Sequence, residues 1–356
     1  MNTTAAANSS AFTRVLTGIT TTGTPHLGNY VGAIRPAINA SRDPQVQSYY
    51  FLADFHALIK CHEPQRVAES RREIAATWLA LGLDTDHAIF YRQSDVPEIP
   101  ELTWLLTCVA AKGLMNRAHA YKASVQENLD AGDRDPDAGI NMGLYSYPIL
   151  MAADILMFSQ KQVAGQDFGL TRVPVGRDQI QHIEMARDIG QRFNHIFGEE
   201  FFALPEAVVD EQVAVLNGLD GRKMSKSYNN TIPLFEPEKK FRKLINKIKT
   251  NSLEPGEPKD TEDCTLFQIY TAFASAVEVA EMRERYAAGI GWGEMKGQLF
   301  EYLNEQLRTP REEYQRLLAD PAYVEAVLHK GADKARAEAT PFLDRLKVAV
   351  GLGRFI

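Results

Sequence analysis

Three apolar runs at regular separation restrict this chain to very few folds. Arg14-Val15-Leu16, the run at 47–59 with polar residues at its end, and Ala88-Ile89-Phe90-Tyr91 each read as a short buried strand. Each precedes a segment of helical periodicity: one opening at His26, one over 63–83 that ends at Gly82, and one over 99–111. Strands joined by helices at this spacing build a parallel sheet covered on both faces, so the expected class is α/β. Ligands of such sheets bind at the carboxyl ends of the strands. After the first run comes a Gly- and Thr-rich turn containing Gly18, Thr20, Thr21, Thr22 and Gly23. Glycines let the backbone approach a ligand there, and the helix N-terminus that follows favours an anion.

A second phosphate-suited element lies at Gly221-Arg222-Lys223-Met224-Ser225-Lys226-Ser227, with Gly218 and Asp220 just upstream. The lysines bring compact charge and the serines hydrogen bonds, which together can offset charge developing on a leaving pyrophosphate. Standing alone, such a segment is a solvated basic turn. Its company is His26-Leu27-Gly28-Asn29 near the start of the chain, and the two together are expected to form a nucleotide site.

A helix is expected from Tyr147-Pro148 to Phe158, apolar on every face except at Asp154. A lone buried carboxylate costs several kcal/mol, on the order of a lost ion pair, so Asp154 needs a partner. That partner is either an internal Arg or helix cap, or a ligand with an aromatic body and one N–H or O–H donor. Tyr147, Leu150 or Met151, and Asp154 share one helical face by their spacing. Further on, Gly176 breaks an apolar strand end, Asp178 either caps the next helix or accepts ribose hydroxyls, and Gln179 can serve the polar end of an amino acid. A helix is also expected over 114–122, ending at Lys122, followed by a polar loop at 131–139.

Composition removes other classes. No apolar run reaches about 18 residues, so no membrane span is expected. Residues 1–10 are polar and read as a disordered leader rather than a signal peptide, which implies a cytoplasmic protein. Cys61, Cys108 and Cys264 are too few and too scattered for a disulfide framework or a Cys-based zinc site. His56, Cys61 and His62 lack a second cluster to complete a metal site, and none is expected. The net charge of −7 opposes indiscriminate nucleic-acid binding, so any RNA must meet a local patch. Residues 239–249 supply one, with six basic residues, no acid, and Phe241, Leu244, Ile245 and Ile248 at helical spacing. A linker at 251–263 leads into a helical remainder.

These motifs resemble the bacterial tryptophanyl-tRNA synthetases, class I enzymes with a His-x-Gly-x element near the start and a Lys-Met-Ser-Lys-Ser loop near the end of the catalytic domain. The resembling tokens are Leu27-Gly28-Asn29-Tyr30, Gln93-Ser94-x-Val96-Pro97, Tyr147-Pro148-x-Leu150-Met151-Ala152-Ala153-Asp154, Pro174-Val175-Gly176-x-Asp178-Gln179 and 223–227. The resemblance implies a Rossmann-like catalytic domain over 11–232, with a connective insertion at about 97–145, and a helical tRNA-binding domain over 233–356. It implies L-tryptophan, ATP with Mg²⁺ carried on the phosphates, and tRNA(Trp) as partners of a homodimer. Asp154 would accept the indole N–H, Met151 would pack on the ring, and Tyr147 and Gln179 would hold the α-amino group. Lys122, Lys223 and Lys226 would be catalytic at the pyrophosphate. Gly28 and Asn29 would meet the adenine end and Gly176 and Asp178 the ribose, with Thr20, Thr21, Thr22, Arg177, Met224, Ser225 and Ser227 completing the ATP contacts. The chain departs from the family in having Thr20-Thr21-Thr22 where Gln-Pro-Ser is common and Arg177 where Glu is usual. Two stretches, at about 130–139 and 159–171, are longer.

Overall fold

The first strand outlasts its apolar run because pairing, not burial alone, defines it. In the computed structural model, which describes residues 13–21, 23–163, 166–167, 170–209 and 216–354 (side chains at 162–163, 166–167 and 178 excepted), β1 spans Thr13–Thr20. It pairs with β2 (Val46–Ala53) over its full length, from Thr13 opposite Val46 to Thr20 opposite Ala53. Gly18 and Thr20 therefore lie in a strand and not in the expected turn. A Cβ at Gly18 would stand 2.8 Å from the Phe51 ring, so glycine is needed there for a close approach across the pair.

The chain then runs through α1 (Leu27–Asn29), a π-helical turn at Tyr30–Ile34, α2 (Arg35–Ser41), β2, α3 (Asp54–Ala57), α4 (Pro64–Ala80), β3 (Ile89–Arg92) and α5 (Glu98–Val109). The helix expected over 114–122 is two helices, α6 (Lys112–Met115) and α7 (His119–Asp130), because Ala118 between them has ψ 130°. α8 (Met142–Met157) begins five residues before Tyr147, where the Asn141 side chain accepts the Leu144 N–H and caps it. Pro148 thus sits inside the helix rather than at its start. A short hairpin, β4 (Gln162–Val163) and β5 (Gln166–Asp167), leads to β6 (Thr171–Pro174), α9 (Ile180–Phe197) and β7 (Glu206–Val208). The last of these strands had no counterpart in the sequence reading.

The sheet has the order β3-β2-β1-β6-β7, and every pair is parallel. Strand order reverses between β1 and β6, which places the crevice for a ligand at the carboxyl ends of those two strands. Side chains alternate between two cores. Tyr50 and Leu52 join the core that holds Trp78, and Tyr49 and Phe51 join the core that holds Leu156 and Ile189.

Helices α10 (Glu238–Lys247), α11 (Thr265–Phe273), α12 (Ala276–Ala287), α13 (Trp292–Ala319) and α14 (Pro321–Ala349) complete the chain. This helical region has no core of its own. Phe241, Ile245 and Leu299 enter the first sheet core, while Phe342, Leu343 and Leu346 enter the second. α14 returns to edge strand β3 so closely that a Cβ at Gly331 would lie 1.8 Å from the Phe90 carbonyl oxygen. Buried Arg14 fastens it: the guanidinium pairs with Glu338 at 2.9 Å and donates to the Phe158 carbonyl at 2.8 Å, and the Tyr49 hydroxyl donates to Glu338 at 2.5 Å.

Candidate active site

A cavity of about 430 Å³ opens at the carboxyl ends of β1, β2 and β6. Thr17, Gly18 and Thr20 of β1 form one wall, Val173 to Val175 another, and Tyr147, Met151 and Asp154 of α8 a third, with His56, Gln179 and His182 at its edges. Helical spacing brings the three α8 residues to one face, as the sequence reading required. The volume falls within the range of about 300–1,000 Å³ usual for small-molecule sites.

Asp154 is 1% exposed and is held by two groups the sequence reading had not connected with it. His56 Nε2 lies 2.9 Å from Oδ2, and the Gln93 amide nitrogen donates to Oδ1 at 2.7 Å and to Oδ2 at 3.0 Å. Among the described residues, then, the internal partners are a histidine and an amide, not the Arg or helix cap weighed from sequence. Burial pushes the carboxyl pKa above its ordinary value, the bonds from His56 and Gln93 oppose that rise, and the nearby Asp54 charge adds to it. The Tyr147 hydroxyl meets His182 Nε2 at 2.6 Å, and burial raises its pKa.

The fold joins the two phosphate-suited elements directly. The Leu27 N–H donates to the Ile232 carbonyl at 3.0 Å, and the Leu234 N–H to the Pro25 carbonyl at 3.0 Å. Met224 is buried, and its Cβ stands 3.5 Å from the position a Cβ would take at Gly28. Lys226 Nζ donates to the Gly23 carbonyl at 3.1 Å, while the Gly23 N–H donates to Ser70 Oγ at 2.9 Å. Burial holds the Lys226 pKa below the ordinary lysine value, and Arg66 adds to this while Glu73 opposes it. His26 caps α1, its Nδ1 accepting the Asn29 N–H at 3.3 Å while Asn29 Oδ1 accepts the His26 N–H at 3.1 Å. That cap needs a neutral ring, and burial with the Lys226 charge lowers the His26 pKa to about 4.

Inside the basic loop, Asn230 is the organiser. It is 2% exposed; its Oδ1 accepts the Ser225 N–H at 2.8 Å, and its Nδ2 donates to Asp220 Oδ1 at 2.7 Å, Lys223 O at 3.1 Å and Arg222 O at 3.2 Å. Ser225 caps a short 3-10 turn, its Oγ accepting the Ser227 N–H at 3.3 Å. Lys223 and Ser227 face solvent, whereas the Lys226 ammonium turns in to the Gly23 carbonyl and Met224 anchors the loop from beneath.

Thr20 lines the cavity, and Thr21 is buried beside the turn with its hydroxyl lacking a hydrogen-bond partner among the described residues. Gly28 and Asn29 are in α1, and Gly176, Arg177 and Gln179 are exposed at the entrance to α9. Lys122 is exposed on α7, two residues from Ala120 of the cavity wall. Thr22 and the side chain of Asp178 lie outside the described residues. On α10, Lys239, Lys243 and Lys247 are exposed over buried Phe241 and Ile245, whereas Lys240 pairs with Glu236 and Arg242 with Glu301.

Residues 8–335 match the model of the family described as tRNA synthetases class I (W and Y). A tryptophan–tRNA ligase of Pseudomonas aeruginosa is 63% identical over 342 residues, 96% of this chain and 74% of that protein. One from Neisseria meningitidis is 58% identical over 95% of this chain and 98% of its own length. The crystal structure of Campylobacter jejuni tryptophanyl-tRNA synthetase complexed with ADP and tryptophan superposes with a TM-score of 0.84 at 40% identity, covering 95% of this chain and all of that one. With its two phosphate-suited elements joined beside a cavity walled by Asp154, the chain belongs to the class I tryptophan–tRNA ligase family.

Proposed function

We propose that the chain activates L-tryptophan with ATP in the cavity at the carboxyl ends of β1 and β6 and then transfers it to tRNA(Trp) in the cytoplasm. The observation that carries this reading is the buried Asp154 carboxylate in the wall of a cavity that adjoins the joined loops. Asp154 accepts the indole N–H, Met151 packs on the ring, and Tyr147 and Gln179 hold the α-amino group. The already ionised tryptophan carboxylate attacks the α-phosphorus of ATP. The bond to the bridging oxygen breaks, pyrophosphate leaves with the electron pair, and no side chain has to remove a proton. Catalysis is then positioning and electrostatics.

Lys223 and Lys226 offset charge on the departing pyrophosphate from the basic loop, and Lys122 reaches it from α7. Ser225 and Ser227 add hydrogen bonds, while Met224 contributes by pinning the loop. Gly28 and Asn29 meet the adenine end and Gly176 and Asp178 the ribose, with Thr20, Thr21, Thr22 and Arg177 among the ATP contacts. Mg²⁺ would ride on the phosphates of ATP, beside the cations and hydroxyls that the loop offers. Lys239, Lys243 and Lys247 on α10 provide phosphate contacts for the tRNA, whose aminoacylation frees AMP. A homodimer is part of the same proposal. Exposed Trp104, Met142 and Leu58 supply apolar surface for a second copy, and sedimentation at the monomer mass would refute it.

Tryptophan-dependent ATP–pyrophosphate exchange tests the reading. Exchange with tryptophan but not with tyrosine or phenylalanine, falling about 10- to 100-fold in Asp154→Asn, is expected. Exchange that ignores Asp154→Asn, or that tyrosine supports equally, would overturn it.

A further inference from the structure

We propose that Gln93 is a positioning residue for tryptophan selection: it presents Asp154 Oδ1, and not Oδ2, as the atom that receives the indole N–H. The inference rests on the reading of Asp154 above. Gln93 is fully buried at the carboxyl end of β3. Its Oε1 accepts the Phe55 N–H at 3.1 Å, which fixes the amide so that Nε2 faces Asp154. A flipped amide would lose that bond and set oxygen against the carboxylate.

Each carboxylate oxygen accepts about two hydrogens in its plane. Oδ2 already takes two, from His56 Nε2 at 2.9 Å and Gln93 Nε2 at 3.0 Å, while Oδ1 takes one, from Gln93 at 2.7 Å. The unused acceptor direction is therefore on Oδ1. Because Gln93 bridges both oxygens, it also stops the carboxylate from rotating about its terminal bond. Without it, Asp154 keeps only His56, either oxygen can turn toward the ligand, and the site no longer demands a donor at one place. Gln93 lies 61 residues from Asp154 and is absent from the lining of the cavity, so it acts through Asp154 rather than on the substrate.

The test compares tryptophan with β-benzothienylalanine, in which sulfur replaces the ring N–H, in ATP–pyrophosphate exchange. The readout is the ratio of kcat/KM for the two, which a general loss of structure would not move. Wild type favours tryptophan, and Asp154→Asn removes that preference. Gln93→Met, similar in volume, is expected to cut the ratio about 10- to 100-fold with the KM for ATP unchanged. A wild-type ratio in Gln93→Met alongside a collapsed one in Asp154→Asn overturns the role of Gln93 and leaves the Asp154 reading intact. A ratio unaffected by Asp154→Asn overturns both. Should Gln93→Met not fold, the wild-type structure with tryptophan decides: the indole nitrogen within hydrogen-bond distance of Oδ1 supports the proposal, and of Oδ2 overturns it.

Discussion

Replacing Asn230 with Ala should disable the basic loop while leaving the fold in place. Asn230 receives the Ser225 N–H and donates to the Lys223 and Arg222 carbonyls, so one buried side chain sets the backbone path of the segment carrying Lys223 and Lys226. Loop and body are also joined by the Met224 N–H to Leu216 O bond at 3.0 Å, the Gly218 N–H to Arg222 O bond at 2.7 Å, the Lys226 Nζ to Gly23 O bond and the buried Met224 side chain, which together keep the loop attached. Each lost backbone contact is worth about 1 kcal/mol after solvent competition, and water reaches part of this exposed loop. Nδ2 has two hydrogens and gives one to Asp220, so the Lys223 and Arg222 carbonyls share the other; with the Ser225 bond that makes two such losses, about 2 kcal/mol, or roughly 30-fold in the population of the organised loop. The kcat of exchange should fall about 10- to 30-fold while Tm moves by only a few degrees, because both sheet cores are untouched. Asn230→Asp sharpens the test. It keeps the acceptor for Ser225 but sets a carboxylate oxygen against Asp220 and two carbonyls, so its loss should equal or exceed that of Asn230→Ala despite the retained shape. An unchanged kcat in both variants, or a fall in kcat matched by global unfolding, would refute the reasoning.

Three further outcomes are expected. Gly331→Ala forces α14 away from β3, because the new methyl would overlap the Phe90 carbonyl; it should cost about 3 kcal/mol or more and lower Tm by at least about 5 °C. Glu338→Ala removes the carboxylate that both Arg14 and the Tyr49 hydroxyl meet and should cost about 3 kcal/mol in denaturant unfolding. Stability should also fall as pH drops from 6.5 toward about 4, since over that window the unfolded chain protonates His26 while the folded chain holds it neutral; above pH 6.5 this contribution is fully present. His26→Asn, which retains a capping acceptor, should flatten that part of the stability–pH curve.

What the sequence revealed was whatever is local and periodic. The three strands, the helices between them and the two loop motifs each lie within a short window, and side chains at 147, 151 and 154 fall together by helical spacing alone. Gly18 misled because a glycine followed by threonines reads as a turn, whereas its requirement comes from Phe51 on the neighbouring strand. β7 is only three residues long, too short for alternation to register. α8 starts early because Asn141 caps it, a signal hidden behind the more conspicuous Tyr147-Pro148. The partners of Asp154 were illegible for a different reason: His56 and Gln93 stand 98 and 61 residues away and meet it only once β2 and β3 lie side by side. The return of α14 to the sheet rests likewise on Gly331 and on the pairing of Arg14 with Glu338 across 324 residues, which no periodicity encodes.

The most direct test of the account is a structure of this chain with tryptophan and a non-hydrolysable ATP analogue bound together. The account predicts the indole nitrogen about 3 Å from the Asp154 carboxylate and the triphosphate between the turn at Gly23 to Asn29 and the loop bearing Lys223 and Lys226. An indole nitrogen that meets neither oxygen of Asp154, or phosphates bound away from those two elements, would contradict it.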